Sequence, residues 1–121
     1  MKNIIYIILI FPLFVFAQVQ DKDSVKVDLS SPHAIIYTHL YFLQSDSFQP
    51  KKAAKTIYGL SESKAEKKAI KIKQVLDGKG LYVDLDRVPT NPNYKDSIGY
   101  SSYYKYVLFP QRMPQIYVEK V

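Results

Sequence analysis

The chain has 121 residues, a formal net charge of +6 and no cysteine. That length admits one domain. The absence of cysteine excludes disulfides and a lipid-modified N-terminal cysteine, so the chain must be held by packing alone or by a neighbour.

Residues 1–17 have the form of an export signal. Lys2 supplies the positive start, Ile4–Phe16 is an uncharged apolar run, and Val15-Phe16-Ala17 forms a cleavage site before Gln18. The run is shorter than the roughly 17–25 residues of a membrane helix, and Pro12 interrupts it. An uncleaved anchor is the alternative. No later stretch is apolar enough to span a membrane. The expected location is therefore periplasmic, on the exported side. Residues 18–30 are polar and mixed in charge, and read as a linker.

From residue 31 the pattern is helical. Ser31 followed by Pro32 is a helix start. The spacing predicts a helix over 32–44, with Ile35, Ile36, His39, Leu40, Phe42 and Leu43 on a broad apolar face. Pro50 opens a short second helix over 51–58, with Ala53, Ala54, Ile57 and Tyr58 inward and Gly59 as its cap. Ser61 opens a third, where Ala65, Ala69, Ile72 and Leu76 form one stripe. Gly78 and Gly80 end it, the first as the expected left-handed cap. The period then changes. Leu81–Leu85 reads as a short extended piece, and 88–93 as a loop blocked by Pro89 and Pro92. Residues 103–109 and 115–121 read as strands joined across Pro110 and Pro114, with Ile116 and Val118 on one face and Tyr117 and Glu119 on the other. The fold expected over 31–121 is α+β: three N-terminal helices packing on a small antiparallel sheet. The last strand has no partner after it, so the chain reads as the front piece of a longer protein. An open edge there would favour a homo-oligomer.

The charge is uneven. Lys51, Lys52, Lys55, Lys64, Lys67, Lys68, Lys71 and Lys73 stand against only Glu62 and Glu66 in residues 51–73. Lys64, Lys67, Lys68 and Lys71 are the candidate residues for binding an anionic surface. The natural partners outside the cytoplasm are a membrane surface or a membrane-protein partner. Export excludes nucleic acid as the partner. The alternative is a solvated helix face. Tyr103, Tyr104, Tyr106 and Tyr117 are candidate interface residues, since tyrosine suits both half-buried strands and interfaces. His33 and His39 stand six residues apart on one helix and cannot share a metal. Asp84 and Asp86 lack the glycine and closing glutamate of a calcium loop and read as turn residues or partners of Arg87. No nucleophile has a general base at readable spacing, so no enzyme activity, cofactor or metal is expected.

Several passages resemble a known family. Ser31-Pro32-x-Ala34, Ala53-Ala54 and Gly59-Leu60-Ser61 are similar to the N-terminal extracytoplasmic region of bacterial small-conductance-type mechanosensitive ion channel proteins. So, more distinctively, are Lys73–Asp77, Leu81-Tyr82-Val83-Asp84-Leu85-Asp86-Arg87-Val88-Pro89, and Asp96-Ser97-Ile98-Gly99. The resemblance implies an extracytoplasmic sensory or assembly domain that precedes membrane helices and a pore. No residue here matches the pore, so none of its roles can be carried over. A looser likeness is to small NTF2-like domains, some of which bind ligands between sheet and helices. That implies the alternative, a periplasmic ligand- or protein-binding module.

Overall fold

The computed structural model of the chain describes residues 25–96 and 104–121. The export segment, linker residues 18–24 and Tyr103 lie outside the described residues, as do Ser97, Ile98 and Gly99. The fold is α+β: three helices are followed by a two-stranded antiparallel sheet that contacts the first helix.

Helix α1 is Pro32–Tyr41. Ser31 caps it as expected: its backbone is extended and its Oγ accepts from the Ala34 N–H at 3.1 Å. Pro32 occupies the first turn, where its missing N–H costs nothing. The His33 N–H, another orphan of the first turn, donates to the Pro89 carbonyl at 3.0 Å. Residues 25–30, at the end of the expected linker, lie along this helix. Val25 and Val27 pack on the core, the Asp28 N–H donates to Thr38 Oγ1, and that hydroxyl donates to the Asp28 carbonyl, both at 3.1 Å. Thr38 is thus buried with its hydroxyl satisfied. The helix stops at Tyr41, short of the expected Gln44, because the chain turns to drop Phe42 into the core, where it is 1% exposed.

Helix α2, Pro50–Ala53, runs on as a 3-10 turn over Ala54–Thr56. Ala53 and Ala54 are buried as expected, but Tyr58 is 79% exposed rather than inward. The chain leaves the 3-10 turn in an extended conformation at Ile57, which packs on the core as expected while Tyr58 turns outward. Gly59 sits beyond the helix end with a φ of +84.

Helix α3, Glu62–Gly78, is the longest. Ser61 occupies its cap position, but its side chain makes no capping bond. Ala65, Ala69 and Leu76 are buried on the expected stripe, with Ile72 partly buried. The small Ala69 meets Ala53 and Phe42 in one core cluster, which brings α2 and α3 close together. At the other end the left-handed cap is Gly80, with a φ of +67, and not Gly78, which stays helical. The Leu81 N–H donates to the Leu76 carbonyl at 2.9 Å, and the Gly80 N–H to the Asp77 carbonyl at 3.1 Å. Leu76 and Leu81 pack together beneath them, completing a Schellman motif. Residues 81–84 join no sheet; Asp84 is extended, and the expected extended piece ends one residue early, where Leu85 enters a turn. Leu85–Arg87 is a 3-10 turn opened by Asp84, whose Oδ1 accepts from the Asp86 N–H at 3.2 Å.

Strands β1 (Lys105–Phe109) and β2 (Met113–Glu119) form a hairpin around a turn that begins at Pro110. Pro114, expected in the connection, lies inside β2. Lys105 faces Glu119, Tyr106 faces Val118 and Val107 faces Tyr117, with a bulge before Phe109 meets Met113. β2 is therefore paired along one edge, which corrects the expectation of a strand without a partner. Two backbone groups on the outer edge of β1 find partners in Asp96. The Asp96 N–H donates to the Lys105 carbonyl at 3.0 Å, and Asp96 Oδ2 accepts from the Val107 N–H at 2.7 Å. A second core cluster of Leu76, Leu81 and Met113, with Ile72, Phe109 and Ile116, ties the end of α3 to the hairpin.

Candidate functional site: a lysine face on helix α3

Lys64, Lys67, Lys68 and Lys71 follow the spacing i, i+3, i+4, i+7, so they line one face of α3. All four are exposed. The helix is held from its other side by the Ala65, Ala69 and Leu76 stripe, leaving the lysines free of any packing duty. None has an acidic residue three or four positions away in the sequence. The ion pairs among the described residues are Lys73 with Asp77 at 2.6 Å and Arg87 with Asp84 at 3.5 Å, and neither involves the four. Each lysine instead has lysine neighbours one turn away, so the face repels itself. Lys51 on α2 and Lys55 in the 3-10 turn after it are also exposed, while Lys52 lies 5.2 Å from the centre of the Phe42 ring.

Behind this helix stands His39. Its Nε2 is 2.9 Å from the Ala69 carbonyl oxygen, which can only accept, so this nitrogen carries the proton. Burial lowers the pKa of His39 below the ordinary histidine value; the bond to Ala69 acts in the opposite sense, and nearby Lys73 adds to the lowering. The ring joins α1 to α3 on the buried side of the helix, at the Ala69 position of its stripe. His33 is stacked on Tyr37, with ring centres 6.4 Å apart. Among the described residues, no three histidine or acidic side chains converge as a metal site would require.

The tyrosine candidates do not come together. Tyr104 and Tyr106 share one face of the hairpin, because Tyr106 faces Val118 and strand residues alternate. Tyr117 is on the opposite face and 43% exposed. Tyr106 meets Tyr94 edge-on at 5.7 Å, and burial, helped by the Asp96 carboxylate, raises the pKa of both phenols. The lysines of the hairpin and of the segment leading to it stand over tyrosine rings. Lys105 Nζ lies 3.8 Å from the centre of the Tyr117 ring, and Lys95 and Lys120 lie 4.7 and 5.3 Å from that of Tyr104. These cation-ring contacts escaped the sequence reading because each joins residues that only the hairpin pairing or the path of the preceding segment brings together.

A cleft of about 430 Å³ separates the start of α1 and residues 55–58 from the inner face of the hairpin. A smaller apolar pocket of about 80 Å³ lies deeper, between α1, α3 and β2. No helix among the described residues is long and apolar enough to cross a membrane. No protein family, curated protein or solved structure was found to match this chain.

Proposed function

We propose that the chain is an extracytoplasmic assembly domain related to the N-terminal region of small-conductance-type mechanosensitive channel proteins, and that it docks through α3 on an anionic membrane surface. The observation that carries the docking is the self-repelling row of Lys64, Lys67, Lys68 and Lys71, exposed and without a carboxylate partner among the described residues. Such a row costs stability in the free protein and is relieved by an anion-rich surface, at about 1 kcal/mol per lysine near anionic lipid. The relation to channel proteins is supported by the passage Leu76–Pro89. Here it contributes the buried Leu76, Leu81 and Val88 and the Pro89 carbonyl that binds the start of α1, so it acts as a structural strap. A second reading, the small binding module, is favoured by the cleft between helices and hairpin.

Vesicles containing anionic lipid are expected to retain the protein at low salt and release it near about 0.5 M salt, where screening is nearly complete. Changing Lys64, Lys67, Lys68 and Lys71 together to Gln should abolish retention while helical circular dichroism is unchanged. Equal retention of the wild type and this variant would overturn the docking role.

A further inference from the structure

The cleft lies within the size range of small-molecule sites, about 300–1,000 Å³. Its floor is aliphatic: Ile35 from α1, Ile57 after the 3-10 turn and Val118 from β2. Its sides are aromatic, with Tyr58, Tyr94, Tyr104 and Tyr106 around the opening. The Tyr94 and Tyr106 phenols carry no charge at ordinary pH, and the Asp96 carboxylate stands beside both.

The charge at the rim is decided by the strand register. Lys105 and Glu119 face each other across the hairpin and lie with Tyr117 on its outer face, where the Lys105 ammonium covers the Tyr117 ring. No ion pair joins the two among the described residues, and both also border the cleft. Val118 and Lys120 alternate onto the inner face, which the cleft uses. Lys120 Nζ donates one bond, to Asn93 Oδ1 at 2.7 Å, and has two further protons to offer. Lys55 stands on the facing wall, exposed and outside both ion pairs of the described residues. Lys55, Lys105 and Lys120 thus line the cleft against the single carboxylate of Glu119, and the rim is net cationic above an aliphatic floor.

We infer that this cleft is a binding site for a single-chain amphiphile with an anionic head, an alkyl carboxylate, whose chain lies on Ile35, Ile57 and Val118 and whose head is met by Lys55 and Lys120. The site rests on the binding-module reading and does not involve the lysine face of α3. A neutral or cationic head of equal chain length would find no partner at the rim, and a short anion without a chain would leave the floor wet.

The test uses dodecanoate, below its micelle concentration, titrated into the protein as its host processes it. Calorimetry or tyrosine fluorescence is expected to show saturable one-to-one binding. Dodecyltrimethylammonium and acetate should fail to bind. Lys55→Glu, at an exposed position, should weaken dodecanoate binding about tenfold or more, as loss of a charge-assisted contact does, and Lys120→Gln should weaken it less. Ile57→Asp should abolish it; if that variant unfolds, competition by decanoate and dodecanol on the wild type reads the chain and head contributions separately. Non-saturable uptake, equal binding of the cationic amphiphile, or unchanged affinity in Lys55→Glu would overturn the site. The Lys64, Lys67, Lys68, Lys71 variant should bind dodecanoate normally, so failure of vesicle docking and failure of this site are distinguishable.

Discussion

On α3, Lys64, Lys67, Lys68 and Lys71 stand in a row with only each other as charged neighbours one turn away. On the hairpin and the segment leading to it, Lys95, Lys105 and Lys120 each lie over a tyrosine ring, and Lys120 also bonds Asn93. The same residue type is left unsatisfied in one half of the molecule and used as structural material in the other. Net charge alone treats the lysines of the two regions alike. Their surroundings separate a surface whose cations have only each other for neighbours from one whose cations are steadied by its own aromatic rings.

The contrast depends on α3 being held rigidly from behind, and that support can be broken. Phe42 fills the cluster with Ala53 and Ala69 and is flanked by edge-on Tyr41 at 5.0 Å. The alanines cannot expand into its place. Phe42→Ala should cost about 3–5 kcal/mol, a large share of the stability of so small a domain. Urea denaturation followed by far-ultraviolet circular dichroism should show a much lower midpoint or no folded baseline. A midpoint close to wild type would mean that α3 does not depend on this cluster.

Acid should loosen the same support. The folded-state pKa of His39 lies below the ordinary 6.5, with burial as the largest cause. Below about pH 6.5 the unfolded chain therefore binds a proton that the folded ring resists. This contribution to stability is intact above that pH and falls as the pH drops through 6.5 toward the folded value. His39→Leu should remove the dependence in this window. A pH-stability curve identical in wild type and variant would show that the ring accepts its proton without leaving the Ala69 carbonyl.

The two glycines that end α3 separate what was legible in the sequence from what was not. A glycine stop after Leu76 could be read directly, and so could the Ser31-Pro32 start, the Ala65–Leu76 stripe and the alternation of Ile116 with Tyr117. Which glycine turns left-handed could not, because it depends on where Leu81 finds Leu76. For the same reason the role of Leu81 in the cap could not be read, and the register that sorts the tyrosines onto two faces emerges only from the pairing of β1 with β2. The lysine row was legible because it is local to one helix; the cleft was not, because its walls come from α1, residues 55–58 and the hairpin. Gly80→Ala should destabilise by about 1 kcal/mol, since an L side chain strains the left-handed position even in open space. Gly78→Ala should stabilise by about 0.5–1 kcal/mol, as helix propensity dictates. Thermal melts of the two variants should move in opposite directions, and a shift of the same sign would place the cap elsewhere.

The smallest effects bear most directly on the lysines. Lys64 with Lys67 and Lys68, and Lys71 with Lys67 and Lys68, are like-charge neighbours, each pair unfavourable by about 0.2–0.5 kcal/mol at low salt. Lys64 also lies near the positive end of the helix dipole. Changing the four to Gln should therefore raise stability by up to about 1 kcal/mol, and the gain should vanish as salt screens the repulsion. Lys105→Gln should do the reverse, losing about 0.5 kcal/mol with the ring contact to Tyr117, and salt should alter that loss less because charge and ring are in direct contact. One substitution type then carries opposite signs in the two regions. If the α3 variant is destabilised as well, the row is not a strained surface waiting for an anion. Its lysines would then be contributing to the fold through their stems, as long side chains do when they lie along apolar surface, and the case for docking through α3 would fall with the repulsion.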